Sequence, residues 1–94
     1  MASYDSANQK LQSKRRLQWQ CRRGMLELEL FLNDFLEYDY EYLSLEKKFV
    51  FEDLLTTIDP VLFDYLMGTD KPDDYGLRDI VHTIREATRQ RVNA

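Results

Sequence analysis

Two stretches of this chain repeat their apolar residues every three or four positions, and that spacing commits them to helix. Leu28, Phe31, Leu32, Phe35 and Tyr38 form one stripe; Leu77, Ile80, Val81, Ile84 and Ala87 form another. On a 3.6-residue period each stripe falls on one face, which is stable only when buried against a neighbour. One run, Glu37-Tyr38-Asp39-Tyr40-Glu41-Tyr42, alternates as a strand would. A lone strand has no partner for its backbone, so this run is read as the frayed end of the second helix and a loop.

Punctuation divides the remainder. Ser6 or Asn8 can cap a first helix running to about Arg23, with Leu17 and Cys21 on one face and Leu11 roughly on the same side. Ser44 is an N-cap for a third helix carrying Leu45, Phe49, Phe51, Leu54, Leu55 and Ile58. Asp59-Pro60 reads as an acid cap followed by proline at the first helical position, opening a short fourth helix to Met67 that Gly68 closes. The segment from Thr69 to Asp74 is a loop by composition, and the fifth helix runs from about Tyr75 to Arg91. The expected fold is all-α, a compact bundle of five short helices. Residues 1–8 are a flexible lead-in and 9–92 a single helical domain.

At 94 residues the chain has a thin core, burying only about 60–65% of its unfolded surface. Its 44% hydrophobic content is nevertheless that of a packed domain. One cysteine, Cys21, excludes an internal disulfide, and with one histidine it offers no metal cluster. The sequence shows no apolar run of about 18–20 residues and no signal-peptide core, which argues against membrane insertion. The basic stretch from Lys10 to Arg23 is poor in serine for a transit peptide and is read as mature protein; the expected location is the bacterial cytoplasm.

Charge is divided along the chain. Between Asp5 and Glu27 lie six bases and no acid; from Glu27 to Glu46 lie seven acids and no base. Gly24 stands at the border, where it can end the first helix as a left-handed residue. If it also caps the second helix, Glu27 falls at the third position and can bond back to the cap amide. Arg15, Arg16, Trp19, Arg22 and Arg23 surround the indole at helical spacing. Arginine stacked on the ring and an interface anchor both fit that cluster. The acids of the second helix form a solvated side, and Glu37-x-Asp39-x-Glu41 lacks the turn glycine of a calcium loop.

His82 lies in the fifth helix without a nucleophile beside it, and neither a phosphate loop nor a dinucleotide fingerprint is present. No enzyme is read here.

Trp19-Gln20-Cys21-Arg22-Arg23-Gly24-Met25-Leu26-Glu27-Leu28-Glu29 resembles the signature of the SdhE/YgfY family. These are small flavinylation factors of succinate dehydrogenase, with assembly factor 2 as the mitochondrial counterpart. The hallmark Arg-Gly-x-x-Glu falls on Arg23, Gly24 and Glu27. Asp59 to Met67 is similar to a second family block, and the Lys71-Pro72 loop fits as well. Glu29 stands where aspartate is usual, and Tyr65 where tryptophan is frequent. The resemblance spans roughly residues 10–90 and implies a chaperone-like assembly factor; the chain is expected to be a monomer. Its client would be the flavoprotein subunit of succinate dehydrogenase, and by extension of fumarate reductase. FAD would be joined covalently to a histidine of the client and not held tightly by this chain. The resemblance places client contacts at Arg23, Gly24, Met25 and Glu27, with Met25 exposed and Arg16 and Trp19 flanking.

Two other classes compete. A nucleic-acid binder or antitoxin-like regulator would use the basic first helix, but the acidic second helix repels DNA. An enzyme acting on free flavin would need a cleft of about 300 Å³, for which so short a chain has little room.

Overall fold

The computed structural model describes residues 14–93. Residues 1–8, the start of the first helix and Leu11 lie outside them. The described chain contains five α-helices and no strand: α1 (described over 14–20), α2 (Leu26–Tyr38), α3 (Leu45–Leu54), α4 (Asp59–Met67) and α5 (Tyr75–Asn93). The alternating tyrosine run becomes the last turn of α2 and a 3-10 turn, Tyr40–Tyr42. Among the described residues no helix is long and apolar enough to cross a membrane.

The core forms where the two stripes meet. Leu28, Leu32 and Phe35 of α2 are fully buried against Ile80 and Ile84 of α5, Leu62 and Leu66 of α4, and Phe51 and Leu54 of α3. Phe35 and Tyr40 both lean on Phe51, at ring-centroid distances of 5.4 and 5.5 Å. Leu17 and Cys21 bring α1 into the same cluster. Tyr38 departs from its stripe: it is exposed, with the Arg91 guanidinium 5.7 Å from its ring while Arg91 pairs with Asp39. Leu45 and Phe49 also face solvent, because α3 buries only Phe51 and Leu54, and Ile58, expected on the third helix, lies beyond its end and is exposed.

Helix ends follow local chemistry. The Ser44 hydroxyl accepts the Lys47 amide at 3.2 Å, as the sequence suggests. The fourth helix starts one residue earlier than expected: Ile58 is its N-cap, and Asp59 and Pro60 are its first two residues. Gly68 ends it at φ 85°, the one positive φ among the described residues. A Cβ there would lie 2.5 Å from Nη2 of Arg85. Gly68→Ala should therefore cost at least about 1–2 kcal/mol from backbone strain alone, measurable by urea unfolding.

Burial pushes the Cys21 thiol up to about 11, with nearby Arg23 opposing in part. The folded chain thus holds a proton that the unfolded chain releases above its ordinary value of 9.0. Stability should fall between those limits by up to about 1.4 kcal/mol per pH unit, beyond the loss seen in Cys21→Ala. Alkaline denaturation of both chains checks the slope, and the native thiol should resist alkylation until the fold opens.

Candidate functional site

Arg23 follows α1 directly, yet its side chain turns inward and is only 13% exposed. Its Nη1 donates to the Thr57 carbonyl at 3.3 Å and to Asp59 Oδ1 at 3.2 Å, and its Nη2 donates to the Leu55 carbonyl. Leu55 is the C-cap of α3, where carbonyls lack helical partners and the helix dipole favours a cation. Asp59 occupies the first turn of α4, where the dipole favours an anion. One guanidinium therefore joins the end of α3 to the start of α4.

Backbone amides complete the arrangement. Asp59 Oδ2 accepts the Gly24 amide at 3.2 Å, and Glu29 Oε1 accepts the Arg23 amide at 2.8 Å. Two consecutive N–H groups are thus turned inward onto carboxylates from α4 and α2. This corrects the local expectations around Gly24. The first helix closes at residue 20, with Cys21 bonded back to the Leu17 carbonyl at 2.9 Å, and Gly24 is not left-handed. Extended Met25, not Gly24, precedes α2, with no side-chain cap. Glu27 is the second helical residue, so no capping box forms; Glu29 makes the backward reach instead.

The side chains expected on one face separate. Arg16 crosses to Glu52 of α3 at 2.6 Å, while Arg22 stays on Trp19, its Cζ 5.5 Å from the ring. Trp19 is 69% exposed, so the stacked pair faces solvent. Arg23 leaves this face for the interior. Met25, expected to be exposed, is half-buried and packs against the core. Gly24 and Glu27 are exposed, and Leu26 and Leu30, a turn apart on α2, add apolar surface beside Glu27. A Cβ at Gly24 would meet only Asp59 Oδ2, at 3.9 Å, an ordinary contact. The fold itself does not require glycine there.

Sequence reading did not single out Asp59 as a partner of this corner or Glu29 as its anchor. Asp59 stands 36 residues from Arg23, beyond any local pattern.

The family model described as flavinator of succinate dehydrogenase matches residues 15–88. The chain belongs to this family. It is 42% identical over 81 residues to the FAD assembly factor SdhE of Idiomarina loihiensis, covering 86% of this chain and 90% of that one. The FAD assembly factor SdhE of a Serratia species is 41% identical, and that of Yersinia pseudotuberculosis 40%, each with 86% of this chain and 92% of the relative covered. The family match runs from α1 through most of α5, so it includes both the Arg23 corner and the α4 start that holds it.

Removing either half of the clamp leaves a partly buried polar group without its partner. Arg23→Ala and Asp59→Ala should each lower stability by about 2–3 kcal/mol. Glu27→Ala, on an exposed side chain, should change it by less than about 0.5 kcal/mol. Urea denaturation of the three variants checks the order.

Proposed function

We propose that this chain is an FAD assembly factor for succinate dehydrogenase, binding the flavoprotein subunit through the corner at Gly24. The observation that carries the reading is a glycine with no internal duty, held rigidly and exposed among groups suited to recognition. Close approach of a partner backbone is a reason for glycine that the fold does not supply. Glu27 offers a carboxylate on one side, and Trp19 with Arg22 offers a cation-bearing aromatic surface on the other. Arg23 contributes by setting the backbone, because its guanidinium is already engaged. Arg16 and half-buried Met25 flank the contact. The family membership and the names of the relatives support the same client.

The reaction belongs to that client. A histidine of the flavoprotein becomes bonded to FAD, and this chain supplies no reacting group and holds no flavin tightly. Its contribution is positional: binding one arrangement of the client's domains raises the population in which flavin and histidine are close. Holding a near-attack geometry lowers the barrier without added chemistry. The flavoprotein of fumarate reductase is a second client by the same logic. The factor acts as a monomer in the bacterial cytoplasm, where its client is assembled.

Gly24→Arg separates recognition from folding. Room around the Cα and the absence of a positive φ mean the variant should melt within a few degrees of wild type. Co-expressed with the apo flavoprotein subunit, it should leave covalent flavin, read as in-gel fluorescence, at the level found without the factor. Wild-type fluorescence from a folded Gly24→Arg chain would remove the corner from the interface.

A further inference from the structure

The other end of α4 carries a feature that the corner does not use. Gly68 turns the chain out of the helix, and the Asp64 carbonyl accepts the amides of Gly68, Thr69 and Asp70. The loop is then fastened to α5: Arg78 Nε donates to the Pro72 carbonyl at 3.1 Å and Nη2 to Asp73 at 3.2 Å. Asp74 Oδ2 accepts the Leu77 amide at 2.9 Å. Pro72 is buried. This well-fastened loop and α5 enclose an open groove of about 290 Å³, lined chiefly by Tyr65, Lys71, Tyr75, Arg78, His82 and Arg85. The expectation that so short a chain lacks such a space is thereby corrected.

The charge of the groove is distinctive in a chain of net −4. Lys71 and Arg85 pair with no carboxylate among the described residues, and Arg78 bonds only to carbonyls. Of the two acids in the lining, Asp79 pairs with Lys47 of α3 at 3.4 Å, and Asp70 accepts the Lys71 amide. Arg78, His82 and Arg85 lie at i, i+4 and i+7 on α5 and are all exposed, so they form one row. Tyr65 and Tyr75 in the lining supply apolar contact beside the cations.

We propose that this groove docks an extended acidic segment of a protein partner. The space is open to solvent, which leaves it accessible to a partner chain. Cations spaced along a helix, with tyrosines in the same lining, suit carboxylates alternating with apolar side chains. A nucleic-acid backbone fits less well, because a polyphosphate runs on past these few cations over the surface of a chain of net charge −4, whereas a short segment needs only the groove itself. Assigning the segment to the flavoprotein client rests on the function proposed above. The nine residues of α4, about 13 Å, separate Asp59 at the corner from this groove, so one partner can reach both.

Two measurements test it. Nitrogen-15 NMR of the full chain, titrated with a short peptide alternating glutamate and leucine, should shift Lys71, His82 and Arg85. A lysine-for-glutamate version should not. Lys71→Glu, whose exposed side chain holds no part of the fold, should weaken the peptide about tenfold. No shifts at the groove, or equal binding of both peptides, would overturn the proposal. So would a duplex oligonucleotide that binds wild type and fails on Lys71→Glu while the acidic peptide is inert. With the apo flavoprotein subunit, wild-type affinity should fall with added salt and Lys71→Glu should flatten that dependence, whereas Gly24→Arg should abolish binding. A flavoprotein that ignores Lys71→Glu separates the groove from the client; one that ignores Gly24→Arg instead removes the functional reading and leaves the peptide result to decide the groove.

Discussion

The placement of Arg23 is the constraint on which the rest of the structure depends. A guanidinium turned into a small protein cannot shed its charge, so it must find several acceptors there. The fold supplies them where they cost least, at the carbonyls ending α3 and the carboxylate opening α4. Those groups would otherwise be left with unmatched partial charges at the helix ends. Satisfying them with one side chain sets the turn between α3 and α4 and draws the start of α2 over both. A core this thin has few other ways to hold three helix termini together.

A consequence of the clamp is that the Gly24 corner is rigid without being buried. Asp59 and Glu29 hold the two amides from beneath, leaving the outer side of the chain to solvent. Gly68 is required by its own backbone, with a left-handed φ and a guanidinium against its Cα. Gly24 has neither demand. At the proposed interface its requirement comes from outside the chain, which is what marks a recognition position.

The polar features of the surface are similarly divided between internal and external use. Arg16, Arg23, Asp39, Asp79 and Arg91 are paired within the fold, whereas Trp19 with Arg22, Glu27, Lys71 and Arg85 face outward. The Gly24 corner meets the start of α4, and Lys71 and Arg85 line the groove by its other end. For the proposed function, contacts at more than one point would fix the orientation of a client, which a single contact does not.

Much of the architecture was legible in the sequence because it is local. The apolar periods of α2 and α5, the Ser44 cap, Gly68 after α4 and the proline near its start each arise from interactions within about four residues. The Arg-Gly-x-x-Glu motif was equally readable, and its family membership followed. What the sequence could not determine was the use of each residue. Arg23 was expected on the outer face with Trp19, and Asp59 was read as a cap for its own helix. Only when α2 and α4 pack does the pair 36 residues apart meet, turning the arginine inward and leaving the fold no need of a glycine at position 24. Helices are specified by neighbours in sequence, but the direction in which a charge points is decided by which acceptors the packed fold leaves unsatisfied.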